Sequence, residues 1–108
     1  MKVIAFDAYD GVNTNGTTLQ GYVTTTYDKL VEVFGEPTYT DADPYEKVNC
    51  EWTVEAECRD DDDERVYKPF SVYSWKYGRI PTEECEWTIG GNDFESWSIA
   101  DDIINGKI

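Results

Sequence analysis

"CEWTVEAECRDDDDERVYKPF", residues Cys50 to Phe70, decides how the chain is read. Extended back to Val48, one set of alternate positions holds Val48, Cys50, Trp52, Val54, Ala56 and Cys58, and the other holds Asn49, Glu51, Thr53, Glu55 and Glu57. Successive side chains of a strand point to opposite faces, so this pattern predicts a half-buried antiparallel strand with a carboxylate-rich outer side. Asp60, Asp61, Asp62, Asp63 and Glu64 follow without a break. Such a run stays in water, which predicts the tip of a β-hairpin. "RVYKPFSVYSWKYG" (65–78) then predicts a second long strand. Its parity is ambiguous: Val66, Phe70 and Val72 are even, whereas Tyr67, Tyr73, Trp75 and Tyr77 are odd. Pro69 cannot donate to a ladder, and a bulge there would switch the inward face midway.

Working outward, "CEWTIGG" (85–91) predicts a third strand, with Cys85, Trp87 and Ile89 on one side and Glu84, Glu86 and Thr88 on the other. Asn92 with Glu95 three residues later predicts a capped helix with Phe94, Trp97, Ala100 and Ile104 as its apolar stripe, stopped by Asn105-Gly106. Upstream, "TTTYDKLVEVFGEP" gives the clearest helix signal. Thr25 pairs with Asp28 as a cap, Tyr27, Leu30, Val31 and Phe34 share one face, Gly35 suits the C′ position, and Pro37 forbids continuation. "MKVIAFDAY" and "LQGYV" predict short N-terminal strands separated by the turn-forming "DGVNTNGTT". The expected fold is α+β, an antiparallel β-meander of three long strands plus short N-terminal strands, packed against two helices in a single domain over 1–108.

A chain of 108 residues with 40% hydrophobic and 15% aromatic residues has the material for one core and is not a disordered chain. Charge is its dominant property: 23 Asp and Glu against 9 Lys and Arg give −14. That field repels nucleic acid and anionic lipid and steers basic partners toward the surface, so direct DNA or RNA binding is not expected. Acidity of this size is equally what keeps a small protein in solution. No apolar run approaches the roughly 18 residues of a membrane span. "MKVIAFDAYDG" lacks the apolar core and cleavage site of a secretory signal, and Cys50, Cys58 and Cys85 are an odd count. The expectation is reduced thiols in a cytoplasm.

No catalytic residue, cofactor or metal is assigned. Histidine is absent, which removes the usual general base and the commonest metal ligand. The cysteines are expected to face inward and show no C-x-x-C spacing, so they read as core residues rather than as a zinc or redox site. No phosphate-binding loop, nucleophile elbow or dinucleotide fingerprint is present. "IGGND" reads as a tight strand-to-helix turn, with Asp93 opposing its use as an anion cradle. "DADPYE" and "DDDDE" supply oxygens without the spacing of a calcium loop, which leaves at most a weak Ca²⁺ or Mg²⁺ contact.

The carboxylate surface remains. In a meander, Glu51, Glu55 and Glu57 stand on one outer strand and Glu84 and Glu86 on the other, flanking the middle strand. Same-face residues repeat at about 6.8 Å, on the scale of neighbouring phosphates. With Asp60, Asp61, Asp62, Asp63 and Glu64 at one end, the acid forms a line that matches Lys and Arg already spaced for a nucleic-acid backbone.

The strings "TTTYDKLVEVFGEP", "EWTVE", "YSWKYG" and "WTIGG" resemble small uncharacterised acidic proteins of bacteriophages. In size and charge the chain is also similar to phage inhibitors that imitate DNA: anti-restriction proteins, inhibitors of uracil-DNA glycosylase and some anti-CRISPR proteins. A helix followed by G-x-P and strands further resembles the small domains of outer-membrane lipoprotein assembly factors and β-lactamase inhibitory proteins. The phage resemblance implies a non-enzymatic protein that binds the basic surface of a host nucleic-acid-binding protein or complex in the host cytoplasm and inhibits it. The alternatives are a small structural or assembly protein of a phage whose acidity serves solubility only, and a small enzyme using carboxylates.

Overall fold

The structure, a computed structural model, describes residues 1–107; Ile108, the last residue of the expected domain, lies outside the described residues. Six strands and two helices follow one another as β1 (Lys2–Ala8), β2 (Thr18–Thr25), α1 (Tyr27–Phe34), β3 (Tyr39–Thr40), β4 (Cys50–Arg59), β5 (Arg65–Tyr73), β6 (Cys85–Gly91) and α2 (Phe94–Ile104). All pairings are antiparallel, in the order β1-β4-β5-β6-β2, with β3 also on β4. The fold is therefore α+β, as expected. The N-terminal strands are not short: β1 has 7 residues and β2 has 8, against 7 in β6.

The period-two pattern is realised from Cys50 on, with Cys50, Trp52, Val54, Ala56 and Cys58 all at 0% exposure; Val48 and Asn49 precede the strand, and Asn49, expected on the outer side, is itself buried, its amide bonded to the Asp41 and Asp43 carbonyls. Opposite Trp52, Val54, Ala56 and Cys58 on β5 stand Val72, Phe70, Lys68 and Val66, in unbroken register. Pro69 makes no bulge. Ser74 donates its N–H to the Cys50 carbonyl, so by the alternation of an antiparallel ladder the even β5 residues bond to β4 and the odd ones point toward β6. β6 ends at Gly91, the partner of Phe70. The N–H that Pro69 lacks therefore has no ladder partner to lose. Tyr67 and Tyr73 consequently face outward, and the strand stops at Tyr73 rather than continuing to Tyr77.

Both helices cover the even face. Trp52 is packed edge-on against Trp87 at 5.6 Å and beside Tyr27 of α1 at 5.7 Å, and Phe34 meets Phe6 and Phe70. Three indole N–H groups are each satisfied by a backbone carbonyl: Trp52 by Gly35, Trp87 by Thr25 and Trp97 by Tyr22. The third bond seats α2 along β2, where a side chain on Gly21 would collide with the Trp97 ring. Gly90 and Gly91 belong to β6 and are not a turn; Gly91 admits Ser96 of α2 against the strand.

Each cap falls one residue later than the sequence suggests. Thr25 is claimed by its pairing with Cys85, and Thr26 accepts the Lys29 N–H. Asp93, not Asn92, accepts the Ser96 N–H at the start of α2. The buried stripe of α2 is Ser96, Ile99, Ala100, Ile103 and Ile104, whereas Phe94 is 67% exposed. Cys50 and Cys58 are buried as expected; Cys85 is only half-buried.

Candidate protein-binding face

Neither helix covers the odd face of the sheet. β4 presents Glu51, Thr53, Glu55 and Glu57 there, each half-buried. Their depth comes from their register partners. Glu51 stands between Tyr39 of β3 and Tyr73 of β5, Glu55 between Asp7 of β1 and Pro69, and Glu57 between Ala5 and Tyr67. The acid is thus interleaved with tyrosine, a feature the charge count could not reveal. The signal available in the sequence was the odd-numbered tyrosines of β5, which follow the parity of the β4 glutamates across the hairpin.

The tyrosines also touch the carboxylates. Tyr9 and Tyr67 hydroxyls donate to Glu55 and Glu57 at 3.5 and 3.4 Å, and Glu57 is further paired with Arg65 at 3.2 Å. Burial alone pushes the Glu51 carboxyl up, and burial with the nearby acids pushes Tyr9, Tyr39 and Tyr73 up, so all three phenols stay protonated at neutral pH. Two shallow hollows mark the face. One of about 220 Å³ is lined by Ala5, Phe6, Asp7, Glu55, Glu57 and Tyr67. The other, about 190 Å³, is lined by Leu19, Tyr22, Tyr73, Trp75 and Thr88, with the Lys47 and Lys76 ammoniums 5.9 and 5.8 Å from the Trp75 ring.

The remaining expected residues divide. Glu86 lies on β6 on the same uncovered face and is exposed, but it pairs with Thr24 of β2 and sits beyond the last β5 partner, Thr88. Glu84 precedes β6 in an exposed bend and is not on a strand. The two do not form a second glutamate row beside β5. Asp60 to Glu64 do form the β4–β5 turn. Within it Asp60 is structural, its carboxylate accepting the N–H groups of Asp62 and Glu64 at 2.9 Å, and Asp63 adopts a left-handed φ of 59°. Asp61, Asp62, Asp63 and Glu64 are exposed.

Two acids between β3 and β4 serve the fold. Asp41 and Asp43 each accept an N–H two residues on, and Asn49 ties the same loop through the Asp41 and Asp43 carbonyls at 2.8 Å. Among the described residues no group of three or more His, Cys, Asp or Glu side chains is arranged to hold a metal, and no helix is long and apolar enough to cross a membrane. Burial pushes the Cys50 thiol up to about 12 and also raises Cys58 and Cys85, against thiolate chemistry at neutral pH.

Comparison with family models, with curated proteins and with solved structures returned no match.

Proposed function

We propose that the chain is a non-enzymatic acidic inhibitor whose uncovered sheet face occupies a basic groove on a host nucleic-acid-binding protein. The observation that carries this reading is the row Glu51, Glu55 and Glu57, held at fixed spacing by strand pairing and set among tyrosines rather than free in water. Fixed carboxylates complement Lys and Arg with little ordering cost, and tyrosine adds rigid contact area that cations and apolar stems both tolerate. The exposed tip beyond this row adds long-range attraction for the same partner. The cytoplasm of the host is where such a partner would be met.

A second reading, a phage structural or assembly protein whose acid serves solubility, draws support from the apolar corner of Leu19, Tyr22 and Trp75, which are 53%, 48% and 45% exposed. The test separates the two. Host lysate is passed over the immobilised protein at low salt, and the retained proteins are challenged with excess duplex DNA and, separately, RNA. Displacement of a retained nucleic-acid-binding protein by either polymer is expected, because decoy and nucleic acid compete for one groove. Proteins that stay bound under both challenges would favour assembly.

A further inference from the structure

Resting on the binding role proposed above, we infer that the hollow between β1, β4 and β5 is a socket for one arginine side chain of the partner, its guanidinium held by Asp7 and Glu55 and stacked on Tyr67. Asp7 and Glu55 are direct register partners. Residues so placed have Cβ atoms about 4.5–5.5 Å apart, and like charges there repel. Among the described residues neither carboxylate is ion-paired to a Lys or Arg of the chain. The Tyr9 hydroxyl, 3.5 Å from Glu55 Oε1, is a neutral donor and leaves both negative charges in place, so the opposition is open to an outside cation.

Shape points to the same group. Ala5 stands opposite Glu57, where a larger side chain would fill the floor, and the resulting hollow of about 220 Å³ is several times the roughly 30 Å³ share of one water. Tyr67, 52% exposed, supplies a ring at its rim. The chain itself already places a guanidinium at this edge: Arg65 Nε lies 3.2 Å from Glu57 Oε1. A planar guanidinium can share parallel N–H groups between two carboxylates and lie on an aromatic face, whereas the strongly hydrated lysine ammonium can do neither as well.

The test uses the full, isotope-labelled protein with tetra-arginine and tetra-lysine peptides as probes, followed by backbone amide shifts at about 20 and 150 mM salt. The expected result is saturable shifts centred on Ala5, Asp7, Glu55 and Tyr67 with tetra-arginine, and binding about tenfold weaker for tetra-lysine at those amides. Glu55→Gln and Tyr67→Ala should each weaken the tetra-arginine response there, while Asp61→Asn with Asp62→Asn should not. Unchanged shifts far from the hollow in each variant show that the fold is intact. Equal response to both peptides, or shifts centred on Asp61 to Glu64, would overturn the socket while leaving a diffuse acidic binder. No binding of either peptide at 20 mM salt would overturn both the socket and the proposed function.

Discussion

Trp52 is the residue on which most of the core converges, at 0% exposure, between Tyr27 and Trp87, with its indole N–H on the Gly35 carbonyl that ends α1. Trp52→Ala removes that volume, leaves a cavity under the helix and strands the carbonyl. A loss of about 3–5 kcal/mol is expected in denaturant unfolding, and a negligible change would contradict the packing described. Glu51 runs the other way. Its carboxyl is pushed up by burial, so ionising it is harder in the folded chain than in the unfolded one. The sign follows: below the unfolded value of about 4.3 the group is neutral in both states, and as pH rises through its higher folded value the carboxylate subtracts from stability. Glu51→Gln should therefore be more stable than the parent at pH 7, with the difference closing below about pH 4. Equal stabilities at pH 7 would show that the charge is not strained, and would weaken the case that the protein keeps it for binding.

At the scale of elements, Asp93 joins α2 to the sheet in two ways. It caps the helix through the Ser96 N–H and accepts from Lys68 Nζ at 2.7 Å, a lysine that β5 turns toward the covered face. The Lys68 hydrogen bond holds the Asp93 carboxyl below its ordinary range. A depressed folded value contributes stability that is present above the unfolded pKa of about 3.9 and lost as pH falls through the folded one. Asp93→Ala should cost about 1–2 kcal/mol, read from the unfolding midpoint at pH 7. Asp93→Asn, which keeps a capping oxygen and loses the ion pair, should cost less, and its deficit should vanish in acid. The helix itself was legible in the sequence, and its cap was displaced by one residue because Asn92 and Asp93 are both good caps locally. Only the approach of Lys68 from β5 distinguishes them. The β5 parity was hidden for a related reason. Pro69 signals a broken ladder when read along the strand, yet its missing N–H points past the end of β6, a fact of register between distant segments. The β4 alternation needed no such context from Cys50 to Cys58; it failed only at Asn49, which the Asp41 and Asp43 carbonyls draw inward.

At the scale of the molecule, β4 orders its acids along one direction, from Glu51 to the tip after Arg59. Eight residues at about 3.4 Å each put roughly 27 Å between those ends, more than three Debye lengths of about 8 Å at physiological salt. Glu51 is therefore screened from the tip, whereas Glu57, three residues before Asp60, stands about one Debye length from it. The sequence showed both groups but not their difference: the tip is exposed, whereas the β4 glutamates are half-buried among tyrosines contributed by β3, by β5 and by Tyr9 just after β1, which only the sheet order brings together. If the face makes the short-range contacts, then Glu51→Gln with Glu55→Gln and Glu57→Gln should weaken affinity for the DNA-displaceable partner at both low and high salt, chiefly through faster dissociation. Neutralising Asp61, Asp62, Asp63 and Glu64 should mainly slow association, and only at low salt, because exposed charge steers without being buried. Asp60 is left in place in that second set, since its carboxylate holds the turn through Asp62 and Glu64. The measurement is the association and dissociation rate of wild type and both sets at about 50 and 300 mM salt. A face set that changes only the association rate, as the tip set is expected to, would mean that the β4 glutamates are not buried by the partner and that the sheet face is not where it binds.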